Sequence, residues 1–413
     1  MGAYRTIDGA IVEKDVPDKP VTGVRNICIA VIELKDLHYS VTVFPNLIAT
    51  MSTSPPEGTL PDELFVEVQK IFRATPALLI GSGFSCGYGL PGMWDLGVHL
   101  LANVEAALTT DEAKALWRGA SNAVKADLEA GLNTIPQGAT GREELVHAIR
   151  YETAKLILSA TSVAEKTILD QGLAGGHAPA RLLRLLFNGA AQNAESIPVI
   201  TTNYDTLLEL FCDLADLPID TGFTGFRRRK PRTAPIFQTQ YSRVWAAEKK
   251  GGFQADHRPF RTVRLHKPHG SISWLATPTG PVEALNDNSN AARAIVVPGP
   301  SKYQDALVNT LFDAMRTEMN GVLGGASALL CLGFGFNDDH LQGVIRARLD
   351  AHMPMILLTR DPTESINRLL RAYPHAIAIF KEDAGAKCVW NGRVYSSEEP
   401  LWQLDDFLKK FLE

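Results

Sequence analysis

From Asp62 onward, short apolar runs alternate with amphipathic stretches, and this alternation predicts a parallel α/β sheet. The runs Ala77–Ile80, Ile197–Ile200, Ala328–Leu332, Met355–Leu358 and Ala376–Phe380 have the unbroken or near-unbroken apolar character of strands covered on both faces. Helical periodicity falls on Leu64–Arg73, Asp339–Leu349, Thr363–Ala372 and Pro400–Leu412. Val263–Leu265 and Ile295–Val297 are shorter strand candidates, and a helix is expected to begin at Asp205. Nothing strand-like interrupts the stretch from Leu96 to roughly Asp170. Helix starts there are marked by Asp111-Glu112 and by Gly141-Arg142-Glu143-Glu144, whose acids suit the positive end of a helix dipole. The expected fold is a doubly wound parallel α/β sheet with a helical insertion at about 96–190.

Residues 1–60 differ in character. Asn26–Leu34 and His38–Phe44 are rich in Ile and Val and flank Lys35-Asp36-Leu37, which predicts a β-hairpin. Met51–Pro61 carries three prolines and a glycine and reads as a linker. The expected division is therefore a small β-rich N-terminal extension, 1–60, with a possible role as an oligomerisation arm, followed by one large domain, 61–413. Residues 220–262 have no clear period and are expected to be irregular. Their main charge cluster, Arg227-Arg228-Arg229-Lys230, is either a solvated loop or a phosphate or partner contact.

The composition narrows the class. Hydrophobic residues make up 45% and charged residues 21% of the 413, an ordinary globular balance. The net charge of −5 offers no general attraction to nucleic acid. No membrane span and no signal peptide are apparent, so the expected location is cytoplasmic. The five cysteines (Cys28, Cys86, Cys212, Cys331, Cys388) form no C-x-x-C pair, and no metal is expected. Cys86 is either a small residue fitting a tight loop or a reactive thiol.

Four segments bring small and polar residues to strand ends, where open α/β sheets bind ligands. Gly81-Ser82-Gly83-Phe84-Ser85 is either a plain turn or a loop whose backbone approaches a phosphate. It is not the G-x-G-x-x-G fingerprint, because Cys86 stands at the third glycine position. In Thr201-Thr202-Asn203-Tyr204-Asp205, the Asn203 amide suits ribose hydroxyls or a water, and Asp205 suits capping of the next helix. In His266-Lys267-Pro268-His269-Gly270-Ser271, His269 can act as a general base near neutrality, while His266 has no assigned role. The fourth segment is Gly333-Phe334-Gly335-Phe336-Asn337-Asp338, in which Asp338 could equally cap the following helix.

In this order the segments resemble the sirtuin family, and more closely its zinc-free bacterial branch of NAD-consuming proteins in anti-phage defence. The similarity runs over about residues 76–380. It implies a Rossmann-like fold, with NAD+ as substrate. By this resemblance Gly81, Ser82, Gly83, Phe84 and Ser85, with Pro91 of Gly89-Leu90-Pro91, form the phosphate loop. Asn203 and His269 are the catalytic pair, Asn203 contacting the nicotinamide ribose. Thr202, Asp205 and Gly270 flank them, and Gly333, Phe334, Gly335, Asn337 and Thr359 receive the adenosine side. His177 falls where the family has the helix that leads into the strand before Asn203. Deacylating sirtuins carry two C-x-x-C pairs and a Phe-Arg after Pro-Asp; this chain has no such pairs, and Gly92-Met93-Trp94 stand in the second place.

The implied activity is that of an NAD+ hydrolase (an NAD+ glycohydrolase) releasing nicotinamide and ADP-ribose and depleting NAD in abortive infection. The alternatives are an NAD-dependent protein deacylase and a non-catalytic module sensing NAD or ADP-ribose. The resemblance also implies a homo-oligomer and a HerA-type ATPase partner. Neither nucleic acid nor a membrane is expected as a direct partner of this chain.

Overall fold

A computed structural model of the chain describes residues 4–7, 10–13, 60–172, 176–245, 255–285, 291–297, 309–337 and 339–413. The chain divides into two compact units, Met1–Ser54 and Pro55–Glu413. In the first, strands Tyr4–Ile7 and Ala10–Glu13 pair antiparallel, with Tyr4 opposite Glu13. The hairpin expected from Asn26–Leu34 and His38–Phe44 lies outside the described residues, as does most of the Met51–Pro61 linker.

The second unit is built on a nine-stranded sheet. In chain order its strands are β1 (Ala77–Ile80), β2 (Ser196–Thr201), β3 (Ile219–Asp220), β4 (Thr262–His266), β5 (Leu329–Leu332), β6 (Met355–Leu358), β7 (Ile377–Glu382), β8 (Gly385–Trp390) and β9 (Arg393–Ser397). Their spatial order is β9-β8-β7-β6-β5-β1-β2-β4-β3. The seven strands from β7 to β3 run parallel, and β8 and β9 extend the sheet antiparallel. From β1 the chain builds outward through β2 on one side, then returns to build through β5 on the other. The carboxyl ends of β1 and β5 therefore flank the point where strand order reverses, the crevice in which doubly wound sheets bind ligands.

The apolar runs are continuous because alternate residues enter different cores. Leu78 and Ile80 pack under helices α1 (Asp62–Arg73), α7 (Ala178–Gly189), α8 (Leu207–Leu214) and α12 (Leu404–Phe411). Ala77 and Leu79 face the opposite layer, with α9 (Asn309–Gly325), α10 (Asp339–Asp350) and α11 (Glu364–Ala372). Burying a side chain of this size contributes roughly 1.5–3 kcal/mol, so each strand residue adds to one side or the other.

Between β1 and β2 the described residues contain helices and no strand, in line with the expected insertion. After the single turn α2 (Ser82–Cys86) come α3 (Met93–Ala107), α4 (Asp111–Ala126), α5 (Leu128–Asn133) and the long α6 (Arg142–Asp170). They enclose a core of their own around Trp117, Leu100, Val104 and Leu145, which also takes in Ile295 and Val297. Among the described residues no helix is long and apolar enough to cross a membrane.

Three expectations change. Residues 220–262 are not irregular: Phe223–Thr224, Arg228–Pro231, Gln240–Trp245 and Ala255–Phe260 are strands. The first two join Gly270–Leu275, Val282–Ala284 and Arg293–Ile295 in a five-stranded sheet, and the last two pair with each other. The strand expected at Ile295–Val297 ends at Ile295, and the helix expected from Asp205 starts at Leu207, because Asp205 is spent on the turn before it. Strands β8 and β9 close on Asn391-Gly392, whose positive φ values of 50° and 69° suit a two-residue hairpin turn.

Candidate functional site

The glycine loop leaves β1 with Gly81 N–H donating to Leu332 O at the end of β5 (3.0 Å). A Cβ on Gly81 would lie 2.4 Å from Gly333 O, and one on Gly83 would lie 3.0 Å from Gly333 Cα. In turn a Cβ on Gly333, at φ +57°, would meet Phe84 N at 2.1 Å. The two strand-end loops thus lie backbone against backbone, which only glycine permits. Gly83 N–H donates to Gly333 O (3.0 Å) and Phe84 N–H to Gly81 O (3.1 Å), so both donors are already engaged within the protein. The Phe84 ring turns inward, 5.5 Å from Tyr88 and 6.2 Å from Phe211.

Asn203 follows β2 and grips this loop. Its side-chain amide donates to Gly81 O (2.9 Å) and Ser85 Oγ (2.8 Å), and its backbone N–H donates to Thr201 Oγ1 (3.1 Å). With both amide hydrogens committed, Oδ1 is the atom left to accept from a ligand. Ser85 hydroxyl donates to Asp205 Oδ2 (2.7 Å), while Asp205 Oδ1 accepts from Leu207 N (3.1 Å). Asp205 is buried, and both its oxygens serve the protein: one caps the start of α8, the other anchors the glycine loop. Lys267, also buried, donates to Asp205 O and pairs with Glu209 (2.8 Å). Burial pushes the Glu209 carboxyl up, and Lys267 opposes that shift.

His269 stands after β4, half-buried. Its carbonyl accepts from Val296 N (2.9 Å). Gly270 is at φ +84°, and a Cβ there would sit 2.1 Å from Ala294 O. Its lack of a side chain therefore admits the neighbouring strand Arg293–Ile295 rather than a ligand.

These segments meet at a cavity of about 850 Å³, within the range typical of small-molecule sites. Gly81, Ser82, Ser85, Pro91, Thr202, Asn203, Asp205, His269, Phe334, Gly335 and Asn337 line it. Gly83, Phe84, Gly270, Gly333 and Thr359 are not in its wall. The first four serve the loop packing just described, and Thr359 N–H bonds Ile379 O (3.2 Å) at the end of β6. Asp338 lies outside the described residues. The opposite wall is the helical layer, with Leu101 of α3, Val124 and Lys125 of α4, Leu128 of α5 and Ile157 of α6. Met93, Trp94 and Val98 of α3 also line the cavity while remaining 44%, 76% and 48% exposed. The sequence signalled Met93 and Trp94 only as a departure from the sirtuin pattern, and Val98 not at all.

The other singled-out residues fall into place outside the cavity. His266 is buried, with its ring 4.4 Å from Phe237; burial, aided by the Arg264 charge, lowers its pKa to about 3. His177 precedes α7, its ring 6.0 Å from Phe211. Burial and the Asp95 charge push the Cys86 thiol up, against a reactive thiolate at neutral pH. In the basic run, Arg229 pairs with the buried Glu283 (2.6 Å), whereas Arg227, Arg228 and Lys230 are exposed. Among the described residues no group of three or more His, Cys, Asp or Glu is arranged to hold a metal ion.

Residues 198–377 match the family model of the SIR2-like domain. The match begins inside β2 and takes in Asn203, His269 and the Gly333–Asn337 turn, and it supports a sirtuin-like, NAD-related assignment for that span. No curated protein matches the chain.

Proposed function

We propose, from the SIR2-like span and the cavity it shares with the glycine loop, that the protein hydrolyses NAD+ to nicotinamide and ADP-ribose. The observation that carries the proposal is the presence of Asn203 and His269 in one cavity wall, at the carboxyl ends of neighbouring parallel strands. The bond between nicotinamide nitrogen and ribose C1′ breaks, the electron pair leaving with nicotinamide, and positive charge develops on the ribose. Asn203 Oδ1 accepts from a ribose hydroxyl or from the attacking water, holding it in line. His269 takes the proton as the water oxygen bonds C1′.

Nicotinamide release by the wild type, Asn203→Ala and His269→Ala tests this directly. Each substitution is expected to lower the rate by roughly a hundredfold or more; wild-type rates in both variants would sink the proposal.

The apolar wall of Leu101, Val124, Leu128 and Ile157 favours a second reading, an NAD-dependent deacylase with room for an acyl chain. Mass spectrometry of an acetyl-lysine peptide with NAD+ separates the two: NAD loss without deacetylation favours hydrolysis. The resemblance further suggests anti-phage defence in a homo-oligomer with a HerA-type ATPase. Co-expression with such a partner is then expected to change the rate of NAD loss.

A further inference from the structure

We infer that Tyr204 is a positioning residue that fixes His269 relative to Asn203, an inference that rests on the hydrolase reading. Tyr204 follows Asn203 in the same segment and reaches the His269 segment from two sides, through Val296 and directly at Ser271 and Ile272. Its hydroxyl donates to Val296 O (2.6 Å), and Val296 N–H donates to His269 O (2.9 Å). Its own carbonyl accepts from Ile272 N (2.9 Å) and Ser271 Oγ (3.3 Å), just beyond His269. The path from Tyr204 hydroxyl through Val296 to His269, and back through Ser271 and Ile272 to Tyr204 carbonyl, is a closed circuit. Asn203 is the residue immediately before it.

The turn enclosed by this circuit includes Gly270, at φ +84°, where the backbone lies directly against Ala294 O, so the bonds on either side are what hold the His269 segment in place. The phenol is the only side-chain member of the circuit besides Ser271, and its ring packs against the core of the helical layer. Removing the hydroxyl alone therefore loosens the His269 segment from one side without emptying the ring's place.

Tyr204→Phe is the test, with nicotinamide release followed as kcat and KM and combined with His269→Ala in a double-mutant cycle. A loss of about tenfold in kcat with KM within about threefold is expected, since small misplacements of a reacting group are costly. In the His269→Ala background the same change is expected to cost nothing further. Full kcat in Tyr204→Phe, or an equal loss in both backgrounds, overturns the inference.

If His269→Ala itself keeps the wild-type rate, the hydrolase reading fails, and a second readout decides this point separately. The His269 ring carbons, followed by NMR in wild type and Tyr204→Phe, are expected to shift. Unchanged resonances overturn the positioning role whatever the reaction.

Discussion

Gly333 is held by the backbone of another loop, not by a side chain. At φ +57° an alanine there carries backbone strain, and its Cβ meets Phe84 N at 2.1 Å. Gly333→Ala is expected to cost roughly 3 kcal/mol or more in denaturant unfolding, a large value for one methyl group. The residues themselves were legible: small and polar types directly after apolar runs pointed to Gly81, Asn203, His269 and Gly333. The reason for the glycines was not. The sequence pattern left a plain turn and an approach to a phosphate both open; what it did not show is that Gly81 and Gly83 are also fitted to Gly333, a contact between segments far apart in the chain. Trp94 was legible only as a departure from a pattern, because its position on the cavity rim depends on where the helical layer settles.

Between elements, Glu144 ties the start of α6 to the start of α4. Its carboxylate accepts from the backbone N–H and hydroxyl of both Thr109 and Thr110, and Thr110 in turn caps α4 through Ala113 N (3.3 Å). The Thr110 hydroxyl, followed by the Thr109 donors, pulls the carboxyl down from about 4.5 to about 2. A carboxyl depressed in the folded state stabilises fully above its unfolded pKa and loses that contribution as pH falls towards the folded one. Helical-layer stability, followed by hydrogen exchange, is therefore expected to drop between about pH 4.5 and pH 2, and Glu144→Gln to flatten that slope. The sequence marked Glu144 only as an acid in a first helical turn. Its partners come from the residues just before a different helix, which periodicity does not encode. A similar limit explains the strands missed in 220–262: Phe223–Thr224 is two residues long, Arg228–Pro231 pairs with it and with Val282–Ala284, and Gln240–Trp245 pairs with Ala255–Phe260, none of them with a clear apolar alternation.

For the molecule as a whole, alternation of apolar runs and helices was enough to give the doubly wound sheet and the helical layer, because each element is locally consistent with its place. The five-stranded sheet escaped, since pieces as short as Phe223–Thr224 have no period to detect. One buried group makes the sheet sensitive to acid. His266 is neutral when folded, with its pKa lowered to about 3, whereas the unfolded chain takes up the proton near 6.5. Stability is thus lost as pH falls from about 6.5 to about 3. His266→Leu, which breaks no hydrogen bond seen among the described residues, is expected to reduce the loss between pH 7 and pH 5 in urea unfolding. The interlocked loops carry a different kind of consequence, a genetic one. Space for a larger residue is usually recovered by shrinking its neighbour, but the atoms facing Gly333 are Phe84 N and the Gly83 backbone, which no substitution makes smaller. A folding-reporter screen of Gly333→Ala libraries randomised at 81–85 and 334 is therefore expected to yield no suppressors, only restoration of glycine at 333.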